Sequence, residues 1–332
     1  FESAEIFRSV LAYINPLLVF AVILRVSERE IYLLSRVAVY ILFALIFLGL
    51  MQHIGLLAPF ERIFTFLVPR SSAESMGFRG VTLLSTEPAR AGIELAFLYF
   101  FARRFYLTKT GLVYCDFLAL AFTLIVLKSA TAFMVLGIFL AIAHVKYSIF
   151  IFPLLLLAIL FAVVNVDNRV VRLISDLWEL PRDEALWMLL NTSGNRLISI
   201  YSAVLFALQN PFGGGIGYWK LTSVQALELT NIDYMSMNYF KRALAERGSL
   251  FFRCSGYMTN LLMDTGFAGV AAIFFYVCSE VKKTLGSFVR FVSEEKAFAM
   301  TFFVNIAIVG SVGAPVPWVI AALYVRMLMN ER

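Results

Sequence analysis

Charge is scarce in this chain: Asp, Glu, Lys and Arg make up 15% of its 332 residues, against 61% hydrophobic. A soluble core of that length carries far more charge, so the composition excludes an ordinary globular enzyme and points to a polytopic membrane protein. The mean hydropathy of +0.84 agrees. Histidine is nearly absent. His53 and His144 lie far apart near the ends of apolar runs, which argues against a His-based metal site. The 3 cysteines are equally uninformative. Cys115 and Cys278 sit in or at the edge of apolar segments and Cys254 stands alone, with neither metal-ligand spacing nor a disulfide framework. Internal repeats, low-complexity linkers and a signal-peptide pattern are missing too. The chain starts at Phe1 without an initiator Met, so a truncated sequence lacking earlier spans is expected. The net charge of +6 does not signal nucleic acid. In a membrane protein, excess Lys and Arg reports cytoplasmic loops.

What the chain has in abundance is apolar runs, rich in its 33 phenylalanines. Runs long enough to cross a ~30 Å hydrocarbon layer are expected at 9–24, 31–55, 91–102, 112–127, 130–144, 148–166, 256–278, 296–311 and 315–328. Two further stretches, 60–68 and 198–208, are too short to span and are expected to lie at the interface or to re-enter. The expected fold is therefore an all-α polytopic membrane protein forming one integral membrane domain over 1–332 with nine spans. Arg25, Arg29, Arg103, Arg104, Lys109, Lys146, Lys282, Lys283 and Arg290 fall on one side, which the positive-inside rule makes cytoplasmic. Two polar segments, 57–90 and 165–255, then share the outer face.

Those two segments hold the candidate chemistry. The first contains Arg79-Gly80 and, further on, Ser85-Thr86-Glu87-Pro88 with Arg90 beyond. Pro88 suits the first turn of a helix that Ser85 or Thr86 can cap. Glu87 there is either an acidic residue favourable to the helix dipole or a general base for a hydroxyl. Arg79 can bind phosphate bidentately. The second segment contains Asn195-Arg196, then Pro211-Phe212-Gly213-Gly214-Gly215-Ile216-Gly217-Tyr218. Glycines allow positive φ and close approach of backbone N–H groups to an anion, though a tight turn without a ligand explains them equally. The motif lacks the Gly-Lys-Ser/Thr ending of a nucleotide P-loop. A third cluster runs from Arg253 to Gly269. Its Tyr257, Asn260 and Asp264, three and four residues apart, share one helix face that either lines a cavity or hydrogen-bonds a neighbouring helix.

Together the three clusters resemble the O-antigen polymerase and O-antigen ligase family, bacterial membrane glycosyltransferases with a lipid-linked donor. The carrying motifs are Arg79-Gly80 with Ser85-Thr86-Glu87-Pro88, Asn195-Arg196 with Asn210-Pro211-Phe212-Gly213-Gly214-Gly215-Ile216-Gly217, and Asn260 with Asp264-Thr265-Gly266-Phe267-Ala268-Gly269. The resemblance covers roughly 30–330. It implies a GT-C-like architecture of about a dozen spans in the full protein and an active site facing the periplasm from the bacterial inner membrane. Donor and acceptor would both be oligosaccharides linked to undecaprenyl pyrophosphate. Membrane lipids and a chain-length regulator would be partners, nucleic acid would not, and no cofactor or metal would be needed.

Catalytic roles carry over to Glu87, Arg196 and Arg79. Substrate binding carries over to Arg90, Asn195, Gly213, Gly214, Gly215, Gly217, Tyr218, Arg253, Tyr257, Asn260 and Asp264. Asp264 is the second candidate for the base, and Lys241, Arg242 and Arg247 could line the glycan path. Ligases of the family typically carry a histidine where this chain has Arg253-Cys254-Ser255-Gly256-Tyr257, which favours the polymerase over the ligase. From another class, a transporter of lipid-linked sugars remains an alternative.

Overall fold

The computed structural model describes residues 2–68, 80–107, 112–144, 181, 184, 188, 196–285, 292–310 and 312–331. Among these, all regular structure is helical. The helices are α1 (Glu2–Arg25), α2 (Glu28–His53), α3 (Glu61–Leu67), α4 (Pro88–Phe105), α5 (Leu112–Ala121) and α6 (Ala130–Ala143). They continue with α7 (Arg196–Gln209), α8 (Trp219–Glu228), α9 (Asn238–Arg247), α10 (Tyr257–Leu285), α11 (Ser293–Val304) and α12 (Val316–Asn330).

Among the described residues, three helices are long and apolar enough to cross a membrane: α1 over Ser3–Arg25, α2 and α10. This is fewer than the nine spans expected. Helix α4 has the length but carries Arg90, Glu94, Arg103 and Arg104. The apolar helices over 112–126, 131–143 and 316–330 are shorter. The expected span at 296–311 divides into α11 and a π-helical turn, Asn305–Val309. The one at 148–166 lies outside the described residues. The outward faces of the long helices are apolar, with Phe43 and Phe47 of α2 and Phe275 of α10 all exposed. That is the pattern of a surface meeting hydrocarbon rather than water.

The chain divides into two compact units. The first comprises the described residues of Phe1–Leu24, Leu177–Phe288 and Phe303–Val319. In it α7 packs along α10, α8 packs on both, and the Asn305–Val309 turn lies against α10. Residues 196–254 pack with the first turns of α10 around a shared core, in which Phe206, Leu227, Phe240, Phe252, Leu262 and Met263 are buried. Gly248, with φ of 64°, closes α9 in the left-handed conformation that favours glycine.

Cys254 is buried in this core, its thiol 3.6 Å from the Ser199 carbonyl, and burial pushes the thiol's pKa up. We therefore expect Cys254 to resist a water-soluble maleimide in the folded protein and to label once detergent denatures it. Mass spectrometry of the 253–260 peptide checks this. Equal labelling in both states would contradict the packing of 196–254 against 254.

The second unit comprises the described residues of Arg25–Asp176, Val289–Phe302 and Ile320–Arg332. Here α4 packs between α2 and α6. The Phe100 and Phe139 rings stack at 3.9 Å, as do Phe298 and Tyr324. Such pairs add roughly 0.5–1.5 kcal/mol beyond area burial.

Candidate functional site: a polar cluster at a broken helix

Helix α10 begins with the polar face expected from sequence and then breaks. Gly266 has φ of 65° and ψ of −163°, a conformation essentially closed to other residues. The glycine-rich turn docks against this break. The Gly214 N–H donates to the Met263 carbonyl at 3.0 Å and the Gly215 N–H to the Asp264 carbonyl at 2.9 Å. The fit is too close for side chains: a Cβ on Gly213 would lie 2.5 Å from the Asp264 carbonyl carbon, and one on Gly266 would lie 2.0 Å from the Pro211 oxygen. The amides expected to face an anion are thus committed to carbonyls at 213, 214 and 215, Gly213 donating to Asn210 at 2.8 Å. The glycines shape the site by close packing instead. Gly217 lies beside the Asp264 side chain.

Asp264 is buried at 5% exposure and also accepts from the Tyr13 hydroxyl at 2.8 Å. The Tyr257 hydroxyl donates to the Tyr13 carbonyl at 2.9 Å, and the two rings meet edge to face at 5.6 Å. The shared face of Tyr257 and Asp264 therefore hydrogen-bonds α1. Asn260 serves α10 itself: its amide donates to the carbonyls of Cys254 at 2.5 Å and Gly256 at 2.6 Å.

Beside Asp264, Arg253 places its guanidinium 4.9 Å from the Trp219 ring centroid and donates to the Ser9 hydroxyl at 3.0 Å. Glu5 accepts from the Trp219 indole and from Lys220, each at 3.1 Å. Arg253 is close enough to act electrostatically on both Glu5 and Asp264. The cluster thus joins two carboxylates, two cations, a tyrosine hydroxyl and an indole face. It offers cationic donors for an anion and an aromatic face for an apolar or sugar surface. Tyr218 is exposed at the N-cap of α8, where its backbone carbonyl accepts from the Thr222 hydroxyl at 3.2 Å and its side chain makes no capping bond. Arg196 is half-buried at the start of α7, where its carbonyl accepts from Ser199.

Sequence reasoning missed Glu5, Ser9, Tyr13, Trp219 and Lys220. A signal existed for the first three: they recur every four residues and so line one face of an otherwise apolar helix.

Glu87 and Arg90 belong to the second unit. Glu87, rather than Ser85 or Thr86, is the N-cap of α4; it is exposed and its side chain makes no capping bond. Ser85 instead is buried in a turn, its N–H donating to the Thr82 carbonyl at 3.0 Å. Arg90 pairs with Glu94 one turn on at 3.3 Å. The segment leading to Glu87 is pinned by Gln52, whose side-chain amide donates to the Leu83 carbonyl at 3.2 Å and accepts from the Leu83 N–H at 3.0 Å. Gln52→Leu is expected to lower stability by roughly 1–3 kcal/mol, because it strands both buried backbone groups of Leu83. Thermal unfolding checks this, and an unchanged midpoint would mean that water reaches the pair. Arg79 and Asn195 lie outside the described residues.

The second unit also buries a charged network that sequence reasoning did not find. Arg103, 3% exposed, makes two bonds to Asp116 at 2.8 and 3.0 Å and pairs with Glu294. Asp116 also accepts from the Tyr99 hydroxyl and lies 2.8 Å from the His144 ring. Among the described residues, no group of three His, Cys, Asp or Glu is placed to hold a metal ion. No family model, no curated protein and no solved structure matches this chain.

Proposed function

We propose that this protein is a membrane glycosyltransferase that polymerises oligosaccharide units carried on undecaprenyl pyrophosphate into a surface polysaccharide. The observation that carries the proposal is the cluster in which Arg253, Lys220, Trp219 and Asp264 meet at the break in α10. Two of the three motif groups behind the resemblance, the glycine-rich turn and the Asp264 run, meet there. In the proposed reaction an acceptor hydroxyl attacks the anomeric carbon of the donor, a new C–O bond forms, and the bond to the pyrophosphate oxygen breaks. Arg253 and Arg196 neutralise the departing pyrophosphate, whose charge grows as that bond breaks. Asp264 takes the hydroxyl proton, with Tyr13 fixing its carboxylate. Trp219 offers a face for the sugar. Direct displacement of this kind inverts the anomeric centre.

A second reading has one observation in its favour. A helix interrupted inside a membrane-length segment, as α10 is at Gly266, is a feature of transporters. One experiment separates the two. Full-length protein in vesicles is supplied with a lipid-linked repeat unit, and both glycan length and sidedness are followed. A ladder of longer lipid-linked glycans is expected. Movement of the unit across the bilayer without any ladder would favour the transporter, and transfer only after lipid A–core is added would favour the ligase.

A further inference from the structure

His144 ends α6, where its backbone N–H donates to the Leu140 carbonyl at 2.9 Å. Its ring reaches the buried pair that joins α4 to α5. The ring Nε2 lies 2.7 Å from Arg103 Nη2 and 2.8 Å from Asp116 Oδ2, and those two atoms are 3.0 Å from each other. One ring nitrogen therefore touches a donor and an acceptor that already bond one another.

A single nitrogen cannot serve both. Without a proton, Nε2 offers a lone pair, so it accepts from Arg103 and sets that lone pair against the Asp116 oxygen. With a proton, Nε2–H donates to Asp116 Oδ2 and meets the N–H groups of Arg103 head on. Each state makes one contact and opposes the other. Where the ring settles is thus set by the proton on Nε2.

The surroundings decide which state belongs to which charge. Asp116 does not need the ring: Oδ1 accepts from Arg103 Nε and the Tyr99 hydroxyl, and Oδ2 accepts from Arg103 Nη2. Arg103 does need it. Its side chain is buried, Nε and one Nη2 hydrogen go to Asp116, Nη1 goes to Glu294 of α11, and the second Nη2 hydrogen has His144 as its acceptor. A buried donor without an acceptor is costly, so the neutral ring carries its proton on Nδ1 and holds Arg103. Uptake of a second proton can then occur only at Nε2. The imidazolium turns to the Asp116 carboxylate, where the hydrogen bond is charge-assisted.

Few other charges bear on the ring. From α4 it faces Tyr99 and Arg103, from α5 Asp116 with Cys115 beside it, and, through Arg103, Glu294 of α11. The Phe122–Val126 turn, which also packs on α6, carries no titratable residue. Arg104 is engaged by Glu295 and Glu331 instead. The His144 side chain is 18% exposed, against 8% for Asp116 and 3% for Arg103, so a proton from solvent enters at the imidazole.

We infer that His144 is a proton-operated latch on the end of α6. Neutral, it ties α6 to α4 through Arg103; protonated, it ties α6 to α5 through Asp116. The inference does not depend on the reaction assigned to the protein.

The test is solid-state NMR of the full-length protein in liposomes, carrying 15N-histidine and, in separate samples, 13C at the arginine guanidinium or the aspartate carboxyl carbon. The chain has two histidines, so the spectrum of His144→Gln identifies the His144 signals by loss, and that of His53→Gln does so by elimination. At about pH 8.5, Nε2 is expected to show the shift of an unprotonated ring nitrogen and to be dephased by arginine carbon. At about pH 5 it should show a protonated nitrogen, lose most of the arginine dephasing and gain dephasing from aspartate. A ring that keeps the same partner at both pH values would overturn the inference, whether it stays neutral, stays protonated on Nε2 or titrates in place. Exchange of partners in the opposite order would overturn it as well.

Discussion

Gly266→Val is expected to destroy the fold of the first unit. Two effects add. The backbone at 266 holds a conformation that costs a non-glycine residue about 1–3 kcal/mol, and the new Cβ would lie 2.0 Å from the Pro211 oxygen. No rotamer relieves a clash between Cβ and backbone. Either α10 straightens or the glycine-rich turn is expelled, and in both cases Gly214 and Gly215 lose their acceptors. The variant should fail to give a monodisperse peak in size-exclusion chromatography and should expose Cys254 to maleimide. Gly137→Ala is the control, because no atom lies within 4 Å of its added Cβ; it should behave as the parent protein. A monodisperse Gly266→Val protein with a protected Cys254 would show that the break is not what seats the turn.

The second large effect is expected in the other unit. Arg103→Ala leaves Asp116 buried with only Tyr99 and His144 beside it and removes the partner of Glu294. Stranding one member of a buried pair typically destabilises by about 3–5 kcal/mol. The pair itself stabilises little, because desolvating both charges offsets most of their attraction. Arg103→Met combined with Asp116→Leu should therefore recover most of the loss. Thermal unfolding of the single and double variants decides it. If the double variant is no more stable than Arg103→Ala, the network contributes net stability and the desolvation argument fails for this site.

How much of this was legible in the sequence depended on the range of the interaction. Periodicity along one helix was enough to put Tyr257, Asn260 and Asp264 on a common face, because 3.6 residues per turn fixes that geometry locally. Composition and apolar runs similarly pointed to a membrane-type helical protein. For the glycines, a tight turn and an anion-facing backbone were both open in the sequence; their docking onto α10 is a contact between positions some fifty residues apart, and no local pattern encodes it. The same holds for Tyr13, which meets Asp264 across 251 residues. Asp116 was hidden for another reason: a single acid in the apolar run Leu112–Ala121 has no local partner, and Arg103 reaches it only after α4 and α5 fold. Of the expected spans, those at 9–24, 31–55 and 256–278 stand out as long apolar helices among the described residues, because apolar length alone does not separate a membrane-crossing helix from a short helix buried against its neighbours.

The claim on which the functional account turns is that the chemistry sits at the Arg253–Asp264 cluster. It is tested most directly by following lipid-linked glycan length in vesicles for the parent protein, Arg253→Ala, Arg253→Lys and Asp264→Asn, each shown by Cys254 protection to be folded. The parent protein should build a ladder. Asp264→Asn should lower the rate by 10²-fold or more and flatten its dependence on pH, as expected when a proton acceptor is lost. Arg253→Ala should lose the ladder, and Arg253→Lys should recover part of it, since a lysine keeps the charge but not the planar fork. Folded variants that elongate the glycan as fast as the parent protein would contradict the assignment and move the reaction away from this cluster.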